Sequence, residues 1–204
     1  RSPRRLRQAA YGLSEWNRAA IRRSRLIANP GCYPTAALLA LGPLAEAGWI
    51  EPQGIVVDAK SGVTGAGRSL REDLLFSEVN EDLRAYKVNA HPHIPEMEQQ
   101  LTRWAGTASR VTFVPHLVPL NRGVYATVYA RLRRSRTEKQ IRRLYQRRYG
   151  REPFVRLLPE GKVPQTRSVV GTNDCEIGIR LDRKNRQVIL LAAIDNLGKG
   201  AAGQ

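Results

Sequence analysis

The 204 residues are 42% hydrophobic and 25% charged, which excludes wholesale disorder and suits one sizeable core or one core plus part of another. Lys and Arg number 34 against 18 Asp and Glu, a net charge of +16 that at first sight suggests a nucleic-acid partner. The distribution is against that reading: residues 1–25 hold eight Arg and one Glu, residues 131–151 hold ten Lys or Arg and one Glu, and these two segments (+7 and +9) carry the whole excess.

In chain order, Thr35 to Leu44 is apolar almost all round and predicts a buried helix, limited or kinked by Gly42-Pro43. Ile55-Val56-Val57 reads as a short buried strand ending in Asp58, followed by the glycine-rich loop Ser61 to Arg68. Pro95 at a helix start leads into Met97, Leu101 and Trp104 on one face. Val111 to Val114 and Val124 to Leu132 predict strands; in the second, Val124, Ala126, Val128, Ala130 and Leu132 alternate with more polar residues, so one sheet face is covered. Thr137 with Gln140 is a capping-box pattern in front of Ile141, Leu144 and Tyr145. The second basic run, from Arg131 to Arg151, then reads as a strand end and a helix whose charges form a solvated face, with contact to nucleic acid or an acidic surface as the lesser reading. Glu176 to Leu181 and Gln187 to Ile194 form a hairpin about the polar turn at 182–186. Together these elements predict an α+β fold, a mixed and largely antiparallel sheet with helices on one face. No repeat interrupts it.

Cys32 sits in Asn29-Pro-Gly-Cys-Tyr-Pro-Thr35, a turn placed directly before the apolar helix. A thiol there would feel the positive end of the helix dipole and unpaired backbone N–H groups, which favour thiolate and suit a nucleophile; the alternative is a small buried cysteine before a helix. Cys175 lies between Asp174 and Glu176, which disfavour thiolate. Two cysteines are too few for a disulfide scaffold. With no apolar run of the roughly 18 residues that a bilayer requires, and no signal-type apolar stretch, a cytoplasmic location is expected.

The nucleophile needs a base, and the chain has three histidines. His91 and His93 flank Pro92 and, in an extended segment, would point to the same side, with Glu96 near enough to orient one imidazole. His116, in an apolar strand, reads as structural. Metal binding by His91, His93 and Glu96 is the weakest reading, since no further cluster completes a ligand set.

Five motifs carry a resemblance: Asn29 to Thr35, Ser61-Gly-Val-Thr-Gly-Ala-Gly-Arg68, His91-Pro-His-Ile-Pro-Glu96, Pro115-His-Leu-Val-Pro-Leu-Asn-Arg-Gly123 and Asp195-Asn-Leu-Gly-Lys-Gly-Ala-Ala-Gly203. In this order they resemble the N-acetyl-gamma-glutamyl-phosphate reductases of arginine biosynthesis, which belong to a group that includes aspartate-semialdehyde dehydrogenase and is similar to glyceraldehyde-3-phosphate dehydrogenase. The resemblance implies a glyceraldehyde-3-phosphate dehydrogenase-like catalytic domain and NADP-dependent reduction of an acyl phosphate to an aldehyde through a Cys32 thioester. It also implies a homodimer or homotetramer; no membrane partner is expected, and the charge distribution disfavours a nucleic-acid partner. His91 is the preferred proton carrier. His93, Glu96, Arg68 and Arg122 would contact substrate, the arginines holding phosphate or carboxylate. Ser61, Gly62, Asn196 and Gly200 would contact cofactor.

The sequence departs from the family in two ways. Many relatives carry His-Arg-His where His91-Pro92-His93 stands, so one guanidinium for substrate is missing. The family's N-terminal glycine fingerprint for the cofactor diphosphate is also absent. Residues 1–28 then read as the tail of a cofactor domain, 29–194 as the catalytic and dimerisation domain, and 195–204 as the start of a return to the cofactor domain, a fragment expected to be inactive alone. The other readings are a carrier-protein-linked aminoadipyl or glutamyl phosphate reductase, which Tyr33-Pro34 and Ser61 to Thr64 disfavour, and a basic nucleic-acid-binding module without catalysis.

Overall fold

The computed structural model describes residues 8–204; the first four arginines of the basic N-terminal segment lie outside the described residues. A seven-stranded sheet has the order β4-β5-β3-β6-β9-β8-β7. Its strands are β3 (Ile55–Gly62), β4 (Arg84–Ala85), β5 (Val111–Val118), β6 (Val124–Arg131), β7 (Val155–Leu157), β8 (Cys175–Asp182) and β9 (Gln187–Ile194). β3 with β5 and β7 with β8 run parallel, and the other four pairings are antiparallel. The expected mixed, largely antiparallel sheet is borne out. A separate pair, β1 (Ala10–Tyr11) and β2 (Ile27–Ala28), is parallel and flanks α1 (Ser14–Arg23).

Alternation decides which face is covered. Val57, Ala59, Phe113, Ala126, Val128, Val188 and Leu190 point into the core, while Asp58, Lys60, Thr127, Tyr129 and Leu191 lie half-buried on the other face. The covered side carries α2 (Cys32–Glu46), α4 (His93–Ala105) and α5 (Glu138–Tyr149), with a single-turn α3 (Phe76–Val79) between the first two in the chain. The capping box of α5 is present in full: Gln140 N–H donates to Thr137 Oγ1 (3.2 Å) and Thr137 N–H donates to Gln140 Oε1 (2.9 Å).

Two expectations are corrected. The helix predicted over 35–44 begins at Cys32 and runs through Gly42-Pro43 to Glu46. Residues 33–45 of it are all buried, so packing outweighs the lost proline N–H, and Gly42 earns its place by contact: a Cβ there would stand 2.3 Å from the Trp16 indole. The strand predicted to end at Asp58 continues to Gly62, because β5 and β6 pair with it on both sides through Ser61. The loop therefore starts only at Val63, as a 3₁₀ turn (Val63–Ala66).

The N-terminal segment docks on the helices. Trp16 stacks on Trp104 at 4.1 Å, and its Nε1–H donates to Tyr149 Oη (3.0 Å). A buried ion pair, Lys199–Glu15, links α1 to a π-turn at Gly198–Ala202. Among the described residues no helix is long and apolar enough to cross a membrane.

Candidate active site

Gly31, in extended conformation, is the N-cap of α2, so Cys32 is the first helical residue. Its thiol stands next to backbone N–H groups, as the motif predicts, but it is not the low-pKa thiol expected. Burial pushes it up to about 11, the Tyr33 and Cys32 N–H groups offset this only in part, and the Glu96 carboxylate adds to the rise. The reason is visible in the packing: a Cβ on Gly200 would stand 2.7 Å from the Cys32 Cβ, so the C-terminal turn closes over the cysteine. Cys175 is completely buried, and burial raises its pKa as well.

His91 and His93 do come together, with ring centroids 4.5 Å apart, but not by extended spacing. Pro92 is helical and His93 is the first residue of α4, which places Pro95 third in the helix rather than at its start. His91 Nδ1 accepts the His93 N–H (3.2 Å), and its ring is held edge-on among Tyr33, Tyr86 and Phe113. His93 reaches further toward the cysteine turn: its Nε2 would lie 2.3 Å from a Cβ on Gly31, the residue preceding Cys32. Burial and the neighbouring His91 lower His93 to about 4, and burial lowers His91, so His93 is a neutral base near pH 7. Its Nδ1 is buried without a partner.

Glu96 does not orient an imidazole. Its Oε1 accepts the Tyr11 hydroxyl (2.8 Å) and the Gly31 N–H (3.0 Å), fixing the turn before Cys32 to β1. Burial raises its pKa against these two hydrogen bonds. His116 lies on the face of β5 opposite to Phe113, the ring on which His91 packs, with Nδ1 3.2 Å from Asp58 Oδ1.

The other candidate residues form the frame around this center. Ser61 is buried at the end of β3 with Oγ on its own Gly62 carbonyl (3.0 Å). Gly62 is required by close approach: a Cβ would meet the Leu120 carbonyl at 2.7 Å. Asn196 is a clip, Oδ1 accepting from Gly123 N–H (2.7 Å) and Nδ2 donating to Thr64 Oγ1 (2.9 Å). Arg122 pairs with Asp195 at 2.6 Å, while Arg68 is exposed and makes no hydrogen bond or ion pair among the described residues. The structure thus brings Cys32, His93, His91, Glu96 and Gly200 together and leaves Arg68 apart.

Sequence reasoning missed Asp195 and the tyrosines. Asp195 is fully buried at the end of β9; burial alone would raise its pKa, but N–H donors of Gly171, Leu197 and Gly198 together with Arg122 hold it below the usual carboxylate range. Tyr33 Oη lies 3.1 Å from Tyr86 Oη and 3.3 Å from the His116 carbonyl, a hydroxyl pair beneath the histidines. The Asp-Asn pair after an apolar strand was a signal for the first; the Tyr33–Tyr86 contact spans 53 residues and left no local one.

Residues 32–196 match the family described as semialdehyde dehydrogenase, dimerisation domain. Among curated proteins, N-acetyl-gamma-glutamyl-phosphate reductase of Pelotomaculum thermopropionicum is 54% identical over 96% of this chain and 56% of its own length. The Brevibacillus brevis protein of the same name is 50% identical over 96% of this chain and 57% of its own. The chain thus spans a little over half the length of the curated relatives it matches. Among solved structures, aspartate semialdehyde dehydrogenase II from Vibrio cholerae superposes with a TM-score of 0.75 at 21% identity, over 96% of this chain and 65% of that one. The aspartate semialdehyde dehydrogenase from Francisella tularensis gives 0.68 at 16% identity, over 93% and 65%. These two likenesses concern the fold, which is the α+β architecture expected; the family match, covering well over half the sequence, places this chain in the semialdehyde dehydrogenase dimerisation-domain family.

Proposed function

We propose that the protein is an NADPH-dependent reductase that takes N-acetyl-glutamyl 5-phosphate to N-acetyl-glutamate 5-semialdehyde, and that this chain supplies its cysteine-bearing, subunit-pairing half. The observation that carries the reading is Cys32 at the start of α2 with His93 Nε2 against the preceding residue, Gly31, in a chain about half identical to proteins of that name.

The first chemical step uses this chain's own groups. A thiol held near 11 and an imidazole held near 4 are both neutral at pH 7, so the proton must leave sulfur as the new bond forms. The Cys32 sulfur adds to the acyl carbon, its proton passes to His93 Nε2, the N–H groups at the α2 start face the developing oxyanion, and phosphate departs to leave a thioester. His93 replaces His91, the carrier preferred from sequence, because His91 Nδ1 is engaged at the start of α4. Arg122 is proposed for the substrate carboxylate or phosphate with its charge already shared with Asp195; Arg68 would contribute only by moving inward.

NADPH, when bound, supplies the hydride that brings the thioester to the aldehyde level. The four residues matched to its contacts fit it incompletely: Asn196 and Ser61 are hydrogen-bonded within the chain, and Gly62 and Gly200 are packed against backbone and Cys32. No strand followed by a three-glycine fingerprint and an α-helix occurs among the described residues. We therefore assign the diphosphate to a part of the longer protein outside this chain. The half-buried sheet face around Thr127, Tyr129 and Leu191 is assigned to a second copy, in a homodimer or homotetramer.

The test compares NADPH consumption with N-acetyl-glutamyl phosphate by this chain and by a full-length relative, each with its cysteine intact or changed to serine. Turnover in the full-length protein that depends on the cysteine, and background in this chain, is the expected result. Turnover by this chain near that of the relative would refute the division of labour, and cysteine-independent turnover would refute the chemistry.

A further inference from the structure

We infer that the arginine-rich face around Trp49, at the opposite end of α2 from Cys32, is a binding surface for single-stranded nucleic acid. The 15 residues from Cys32 to Glu46 put the two ends about 20 Å apart along the helix.

The basic run 131–151 does not form one uniform solvated face. Arg142 and Arg148 turn inward: Arg142 pairs with Glu138 (2.9 Å) and donates to the Leu158 carbonyl (2.7 Å), and Arg148 donates to the Glu15 carbonyl and lies 3.9 Å above the Trp16 ring. Five others, Arg133, Arg134, Arg136, Arg143 and Arg147, gather about Trp49. An open hollow of about 600 Å³ is lined by Trp49, Gln140, Arg143, Gln146 and Arg147. A second, of about 250 Å³, shares Trp49 and is walled by Arg133, Arg134 and Arg136. Arg143 and Arg147 are one helical turn apart on α5.

Little opposes this charge. Arg133 has Glu51 at 3.6 Å, Glu46 ends α2, and Asp182 lines the adjoining hollow beside Arg136 together with Arg183 and Arg186. Arg134, Arg143 and Arg147 are exposed and have no hydrogen bond or ion pair among the described residues. Five guanidinium groups with one carboxylate partner describe a site for a polyanion.

The aromatic ring decides which polyanion. Trp49 is partly exposed, and Arg136 sits 4.2 Å from its ring center. Arg136 covers that face in the free chain, and a base would stack there by displacing or layering on its guanidinium, within a cationic groove of the kind that holds unpaired bases over a tracked phosphate chain. An acidic protein surface would engage the arginines and make no use of the indole.

The experiment titrates the chain into a fluorescein-labelled oligoribonucleotide of about 12 nucleotides and follows anisotropy against salt. Five phosphate contacts at about 0.7 each predict that affinity falls roughly a hundredfold between about 50 and 200 mM salt. Arg143→Glu with Arg147→Glu should weaken binding at least tenfold and lower the log–log slope by about 1.4. Arg22→Glu with Arg23→Glu, the same change in net charge on exposed positions of α1, should leave affinity within about twofold. Trp49→Leu should cost about tenfold with the slope unchanged. Circular dichroism of each variant must match the parent. Equal losses from the two double reversals, an unchanged affinity in Trp49→Leu, salt-independent binding, or displacement by polyaspartate as readily as by unlabelled RNA at equal charge would each overturn the assignment.

Discussion

Alkylation of Cys32 as a function of pH tests the balance between burial and helix N-terminus on which the site is built. The thiol stands near 11 where an ordinary one titrates near 9, so near neutrality the thiolate is about a hundredfold scarcer than in an exposed peptide. A thiolate of higher basicity is also more nucleophilic, by a factor of roughly 8 over that interval at a Brønsted coefficient of about 0.45. The net expectation is iodoacetamide modification about tenfold slower than an unstructured cysteine peptide at pH 7.5, rising without a plateau until about pH 11. Peptide mapping should still find Cys32 modified before Cys175, because Cys175 is completely enclosed. A plateau below pH 8, or a neutral-pH rate above that of the peptide, would show a preformed thiolate and refute the argument that burial dominates. Faster modification of Cys175 in the folded chain would remove the nucleophile assignment itself.

Four further outcomes follow from the same geometry. His93 is neutral down to about 4 in the fold but takes a proton near 6.5 when unfolded, so it favours unfolding as pH falls from 6.5 toward 4; His93→Phe should flatten the acid limb of denaturant-derived stability by up to about 3 kcal/mol, and an unchanged limb would contradict its burial. In the alkaline direction Cys32, with its raised pKa, contributes stability that is full below about 9 and lost as pH rises toward 11; Cys32→Ser should shift the alkaline transition upward, and no shift would count against the assignment. Lys199→Met leaves Glu15 buried and unpaired and should cost about 3–5 kcal/mol in urea, with Glu15→Leu added to it recovering most of the loss. Gly200→Ala forces a Cβ to within 2.7 Å of the Cys32 Cβ and should cost about 1–3 kcal/mol by thermal denaturation; a neutral result would mean the C-terminal turn does not close on the cysteine.

What could be read in the sequence was what periodicity and turn chemistry record locally. The alternation in β6, the polar hairpin at 182–186 and the Thr137–Gln140 box each lie within a few residues, and each appears in the fold where it was predicted. Helix α2 was legible in kind but not in extent: Gly42-Pro43 carries a local stop signal that complete burial overrides. The cysteine turn was legible as a helix start, yet its electrostatics were not, because the groups that decide them are distant. Glu96 is 64 residues from Cys32 in sequence, and Gly200 covers it from 168 residues away. For the same reason spacing could gather His91 and His93 but could not choose between them, since the choice rests on Gly31 and on the start of α4. The inward turn of Arg142 and Arg148, which splits the basic run, depends on Trp16 and Leu158 and had no counterpart in charge counting.

Acyl transfer to Cys32 with proton transfer to His93 is read by intact-mass spectrometry of this chain mixed with N-acetyl-glutamyl phosphate. One N-acetyl-glutamyl adduct is expected, mapped to Cys32, with one phosphate released per adduct, absent in Cys32→Ser and much slower in His93→Phe while His91→Phe retains it. An adduct that survives Cys32→Ser, that maps to Cys175, or that forms at the parent rate in His93→Phe would contradict it.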